Sequence, residues 1–262
     1  MQPKPAHLAA IYGEQFSDPS VVDAYGLRPP YPDGVIDQLA GAAGSDGAVL
    51  DLGCGTGEIT RRLAGRVGRI DAVDPSAAML ARARSLPGGT RPSLTWIHGM
   101  AEDAPLDPPY DLVYAAAALH WMDWAVVLPR VRAALSPSGT FAIVGNSTAP
   151  VPWAADAQVV IDRYSTNRDY RPYDLRQELE CRGLFRETGR YRSDPVPFDQ
   201  AVDDYVNSYH ARNGFSRDRM DPAAVDAFDR AMTAVVASHV AGDTVRLMVS
   251  GDIIWGIPTP NG

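Results

Sequence analysis

The sequence predicts an α/β fold, a mostly parallel sheet covered by helices on both faces. Three observations predict it. Short apolar runs alternate with helical periodicity from residue 48 to residue 145. A glycine turn, Gly53-Cys54-Gly55-Thr56-Gly57, directly follows the first apolar run. An acid, Asp74, closes the second run just before a helix start.

Each element follows from its local pattern. Residues 33–43 read as a short helix, and Ala48–Leu52 as a buried strand. Glu58–Arg66 reads as a helix with Ile59, Leu63 and Val67 at helical spacing. "RIDAVD" (69–74) is the second strand, and Ser76 is a favoured N-cap for a helix through Met79, Leu80 and Ala83. "LTWIHG" (94–99) and "YDLVYAAAA" (110–118) are the third and fourth strands. Trp124–Leu135 is helical, stopped by "SPSG", and "TFAIVG" (140–145) is the fifth strand. Beyond Gly145 the alternation lapses. Residues 152–182 and 198–241 read as helices around one strand-like stretch, "FRETGRYRSDPVPF", and "TVRLMVSGDIIWGI" (244–257) reads as a final strand. The expected organisation is an N-terminal segment 1–32, a core 33–146, a helical cap 147–243 with one strand, and a final core strand and tail 244–262. Helices inserted at the rim of a sheet serve either as a substrate cap or as plain packing.

Composition narrows the function. The 262 residues hold 32 acidic and 24 basic side chains, and no basic stripe is visible, which disfavours a nucleic-acid partner. No apolar run reaches the length of a membrane span and no N-terminal signal pattern is present, so no membrane partner is expected. Two cysteines, Cys54 and Cys181, cannot build a zinc framework, no metal is expected, and the setting is read as cytoplasmic. Lys4 is the only lysine, so no lysine beyond the N-terminal tail is available for Schiff-base or phosphate chemistry.

The glycine turn selects among nucleotides. A parallel sheet binds ligands at the carboxyl ends of its strands, and glycine lets the backbone approach a ligand closely. The dinucleotide fingerprint is G-x-G-x-x-G. Here the spacing is G-x-G-x-G, with Glu58 where that fingerprint needs its third glycine. A carboxylate at a helix start beside a pyrophosphate is electrostatically poor. Asp51, two residues before Gly53, suits a positive amine instead, and Asp74 suits two ribose hydroxyls. Ribose plus amine without phosphate describes S-adenosylmethionine. On its own, Asp74 reads first as a helix cap; together with the 51–57 motif the ligand reading is favoured.

Five stretches, in order, carry a family resemblance: "AYGLRPPYP", "VLDLGCGTGEIT", "DAVDPSAAML", "HGMAEDAPL" and "DLVYAAAALHWMDW". The chain resembles the class I S-adenosylmethionine-dependent methyltransferases of small-molecule type, close to the trans-aconitate methyltransferase-like group. The resemblance covers most of the first 150 residues and reaches the final third only in outline. It implies a Rossmann-like sheet, mostly parallel with the last strand antiparallel, plus an N-terminal helical lid and a C-terminal helical cap insertion. It implies S-adenosylmethionine as cofactor, S-adenosylhomocysteine as product, and a small-molecule acceptor.

The resemblance also distributes roles. Asp51, Gly53, Cys54, Gly55 and Gly57 would line the methionine moiety. Asp74 would hold the ribose, with Pro75 and Met79 packed nearby. Ala101 would meet the adenine through its backbone with Glu102 beside it, and Ala116 would offer a carbonyl to the amine. Tyr25 and Arg28 would close over the methionine carboxylate, helped by Tyr12, Phe16 and Tyr31 of the lid. His120, in "LHWMDW", is placed beside the methyl group as a candidate base, the alternative being an imidazole that only positions or packs. His210 on a cap helix is a second catalytic candidate, with core as the alternative. Trp121 and Tyr209 are candidate pocket walls; His98 and His239 read as structural. Cap arginines, among them Arg163, Arg168, Arg171, Arg176, Arg182, Arg186, Arg190, Arg192 and Arg212, admit an anionic substrate or a solvated surface. Two other classes stay open: a methyltransferase-fold protein that binds S-adenosylmethionine without methylating, and a nicotinamide-dependent oxidoreductase.

Overall fold

The computed structural model describes residues 5, 8, 13–171 and 173–259. Among these residues eight strands form one sheet: β1 (Ala48–Leu52), β2 (Arg69–Asp74), β3 (Leu94–His98), β4 (Tyr110–Ala116), β5 (Leu135–Thr148), β6 (Phe185–Arg192), β7 (Val196–Ala201) and β8 (Thr244–Pro258). Their order is β3-β2-β1-β4-β5-β8-β6, with β7 also paired to β8. β1 to β5 run parallel, and β8 runs antiparallel to β5, from Phe141↔Gly256 to Thr148↔Val249. The chain moves outward through β2 and β3, then returns to lay β4 beside β1. That reversal is the switch point at which open α/β sheets bind ligands.

Nine α-helices accompany the sheet among the described residues: α1 (Pro19–Ala24), α2 (Asp33–Ala43), α3 (Glu58–Leu63), α4 (Ala77–Ser85), α5 (Trp124–Ala134), α6 (Ala154–Tyr164), α7 (Leu175–Cys181), α8 (Val202–Ser208) and α9 (Pro222–Ala237). Strand alternation divides the core between the two faces. Leu50 and Leu52 of β1 join Val113 and Ala115 of β4 on one face, while Val49 joins Leu112 and Tyr114 on the other. Asp51 therefore shares the second face with Tyr114, its register partner on β4.

Several local expectations shift. The helix read over 58–66 ends at Leu63, where Ala64 bridges to Val67 around a turn at Gly65 and Arg66. "SPSG" is no loop: it lies within β5, which begins at Leu135 immediately after α5. The single helix expected over 152–182 divides into α6 and α7, separated by the polar, proline-bearing stretch between Ser165 and Asp174. The segment 147–243 carries two strands, not one. β8 is long enough to pair with β6 along residues 252–258 and with β7 along residues 244–249. The start of the helix read over 198–241 is thus the end of β7. Among the described residues no helix is long and apolar enough to cross a membrane.

The N-terminal segment is a strap made of a 3-10 turn (Glu14–Ser17), α1 and a second 3-10 turn (Tyr25–Leu27). Val21 and Val22 pack on Met79 of α4, with Phe16 and Tyr25 alongside. Its polar ties run to the far end of the chain. Gln15 accepts from the Gly214 amide at 2.9 Å, and Asp18 accepts from Ser216 and Arg219, both at 2.6 Å. The Ser20 amide donates to Asp218 at 3.0 Å, and Gln200 donates to the Leu27 carbonyl at 2.8 Å. Tyr12 lies outside the described residues.

Candidate functional site

At the switch point the glycine turn separates two cavities. The larger, about 490 Å³, lies toward β2 and the strap; the smaller, about 290 Å³, lies toward α3. Tyr25, Gly53 and Ala116 border both. The turn is fixed by the Gly53 and Cys54 amides, which both donate to the Val73 carbonyl at 2.8 and 3.0 Å. Gly53 has φ +75, and a Cβ there would overlap Ala118 after β4. Glycine thus keeps the turn and the β4 end in contact.

Asp51 is 2% exposed. One carboxylate oxygen accepts from the Tyr114 hydroxyl at 2.7 Å and from the Thr60 hydroxyl. The other, Oδ1, is buried without a hydrogen-bond partner. Burial pushes the Asp51 carboxyl up to about 7; the Thr60 and Tyr114 hydroxyls oppose the shift and the neighbouring charge of Asp74 adds to it. A buried, half-satisfied carboxylate of this kind is stabilised by a cationic donor brought to Oδ1.

Asp74, 7% exposed, ends β2. Its oxygens accept from the Gly55 amide at 2.7 Å and the Ser76 amide at 2.8 Å. Burial raises its pKa against those two bonds. A carboxylate has about four lone-pair sites, so each oxygen retains capacity for one hydroxyl. Ser76 caps α4 by accepting from the Met79 amide, as the sequence predicts. Pro75, Met79, Ala101 and Glu102 border the larger cavity with Asp74. Glu102 accepts from the Asp123 amide through Oε1 at 2.6 Å, while its Oε2 is buried without a partner. Ala117, next to Ala116, holds a positive φ of 48 at the cavity wall, a conformation that costs energy in a residue with a Cβ.

The smaller cavity is bordered by Asp51, Cys54, Arg28, Tyr31, Glu58 and Arg61 among others. Arg28 donates to the Tyr25 hydroxyl at 3.0 Å. Burial pushes the Cys54 thiol well above its ordinary range. Glu58 ties strap to helix: it accepts from the Tyr31 amide at 3.0 Å and from Arg62 at 2.9 Å.

Four expected roles change. Gly57 borders neither cavity. It caps α3 with φ +68, and a Cβ there would overlap the Trp96 indole, so its glycine serves packing. His210 is wholly buried among Phe228 and its neighbours, with Nδ1 bonded to the Phe215 carbonyl and Nε2 to Asp229, each at 2.7 Å. It borders neither cavity, so it is a core residue. Tyr209 is likewise core, bonded to the Tyr205 hydroxyl at 2.9 Å. His120 sits on the 3-10 turn Leu119–Trp121, its ring 4.6 Å from Trp121 and 6.5 Å from Tyr173. Trp121 borders the larger cavity; His120 does not. Sequence reasoning missed Thr60 and Tyr114 as partners of Asp51. The register of β1 on β4 would have shown Tyr114, whereas Thr60 reaches Asp51 only through the turn of the loop.

Residues 49–139 match the family model described as a methyltransferase domain. An uncharacterized methyltransferase of Mycobacterium tuberculosis is 42% identical over 130 residues, covering 49% of this chain and 51% of that protein. A trans-aconitate 2-methyltransferase of Variovorax paradoxus is 45% identical over 98 residues, covering 36% of this chain and 37% of that protein. The chain thus spans about half or less of the length of these curated relatives. Among solved structures, a protein assigned as a type II methyltransferase from Anaeromyxobacter dehalogenans superposes with a TM-score of 0.58 at 25% identity, over 88% of this chain and 99% of that one. A methyltransferase of Geobacter sulfurreducens, solved with S-adenosyl-L-homocysteine, shares the fold with a TM-score of 0.52 at 19% identity, over 87% and 92%. The match falls on the stretch that builds β1 to β4, the glycine turn and much of both cavity walls: residues 49–139 are similar to a methyltransferase domain, and the chain shares the fold of the solved methyltransferases.

Proposed function

We propose that the chain transfers a methyl group from S-adenosylmethionine to a small-molecule acceptor. The observation that carries this reading is the buried, unpartnered Oδ1 of Asp51, set across the glycine turn from the half-used carboxylate of Asp74. Together they offer one site for an ammonium and one for a pair of ribose hydroxyls, with no cradle of amides for a phosphate between them.

S-adenosylmethionine, when bound, supplies a sulfonium-activated methyl whose S–C electron pair stays on sulfur as the acceptor's lone pair forms the new bond. The chain's own residues bind, align and exclude water. Asp51 and the Ala116 carbonyl face the amine, Asp74 the ribose, and Glu102 with the Ala101 backbone the adenine. Arg28 meets the carboxylate, and Tyr25 spans both cavities as a cover. Alignment of an in-line displacement supplies much of the catalysis, so no side-chain base is required for an acceptor that already carries a lone pair. The strap and the segment 147–243 are assigned to closing the site and completing the acceptor pocket.

The test is calorimetry with S-adenosylmethionine and S-adenosylhomocysteine. Asp74→Ala is expected to weaken both by roughly 2 to 3 kcal/mol, the loss of two hydrogen bonds to a charged acceptor. Unchanged affinity in this variant would overturn the ribose assignment, and no binding to the native protein would overturn the cofactor.

A further inference from the structure

We infer that the acceptor site takes a flat, uncharged aromatic body rather than a carboxylate. The inference rests on the methyltransferase reading above and deepens it. Beyond the residues assigned to adenosine, the larger cavity is walled by Phe16, Tyr25 and Trp121. The Phe16 ring lies 5.8 Å from Trp121 and 6.4 Å, edge-on, from Tyr25. Such an arrangement offers faces and edges to a planar guest.

Charge points the same way. Among the described residues the charged side chains bordering this cavity are Glu14, Asp74 and Glu102, and no arginine, lysine or histidine among them borders it. A carboxylate acceptor would meet like charge and no guanidinium fork. The neighbouring cations are committed elsewhere. Arg28 and Arg61 border the smaller cavity, Arg28 bonded to Tyr25, Arg61 to the Thr56 and Pro87 carbonyls. The cap arginines that would serve an anionic substrate border neither cavity. Arg176, Arg182, Arg190 and Arg192 pair with Glu180, Glu178, Glu187 and Asp252, and Arg212 lies over the Tyr209 ring at 4.0 Å. The site therefore departs from what the names of the trans-aconitate relatives would suggest.

The experiment titrates the protein, saturated with S-adenosylhomocysteine, with 2-naphthol and with trans-aconitate by calorimetry. Naphthol is expected to bind at least tenfold more tightly than trans-aconitate. Trp121→Ala is expected to weaken naphthol severalfold while S-adenosylhomocysteine still binds. Trans-aconitate binding as tightly as naphthol, or naphthol not binding the loaded protein, overturns the inference and leaves the cofactor reading intact. Failure of S-adenosylhomocysteine itself to bind overturns the methyltransferase reading instead.

Discussion

Cofactor affinity should depend on pH through Asp51, and the direction is fixed by its surroundings. In the free protein the carboxyl is pushed up to about 7 by burial. An ammonium at Oδ1 favours the charged form, so the bound pKa lies below the free one. Binding therefore releases a proton below about pH 7, and affinity falls about tenfold, or about 1.4 kcal/mol, for each pH unit beneath it. Above about pH 8 the ligand's own α-amino group loses its proton, since such amines titrate near 7.7–8.0. The expected profile is a bell with its maximum between these limits. Asp51→Asn should lower the maximum and erase the acid limb alone. Free-protein stability should move the other way. A carboxyl whose folded pKa is raised contributes stability below its unfolded value of 3.8 that is lost as pH rises through about 7. Asp51→Asn should therefore stabilise the protein at about pH 8 by on the order of 1 to 4 kcal/mol, read as a higher thermal midpoint. Calorimetry in buffers of different ionisation enthalpy measures the released proton directly. A flat acid limb in the native protein, or the same limb in Asp51→Asn, would refute the assignment of Oδ1 to a cation.

Three further outcomes follow from packing. Gly57→Ala should destabilise the fold by about 1 to 3 kcal/mol, since the new Cβ meets Trp96 at a positive φ, and urea unfolding would show it. His210→Ala should cost about 2 to 4 kcal/mol by opening a core cavity and leaving the Asp229 and Phe215 oxygens without their donor; a stable variant with lost turnover would restore His210 to catalysis. Asp18→Ala, which removes acceptors for Ser216 and Arg219, should accelerate amide exchange across residues 14–27, and unchanged exchange would show that the apolar contacts of Val21 and Val22 alone hold the strap.

The parallel half of the fold was legible because its signals are local. Alternation in β1 and β4, the Ser76 cap and the positive-φ glycines each follow from a few adjacent residues. Asp51 and Asp74 stand out in the sequence because an acid at each strand end is unusual beside a glycine turn, and each borders one of the two cavities there. The C-terminal half was not, because its determinants are distant. Whether residues 196–201 are strand or helix depends on β8, more than forty residues later, presenting an edge to pair. His210 looked catalytic in sequence because nothing nearby reveals Asp229 as its partner. Gly57 shared a motif with the cavity glycines while facing Trp96, which only the packing of β3 against α3 discloses.

The bonds between strap and segment 213–219 also set an order of assembly. Their partners lie 198 to 201 positions apart in the chain. The glycine turn and the strands that hold it can form while the nascent chain is still short, since their pairings close over tens of residues. The roof over the larger cavity has its full set of polar anchors only once residue 219 has emerged. Until then, the apolar contacts of Val21, Val22 and Phe16 with Met79 hold the roof with fewer of its polar anchors.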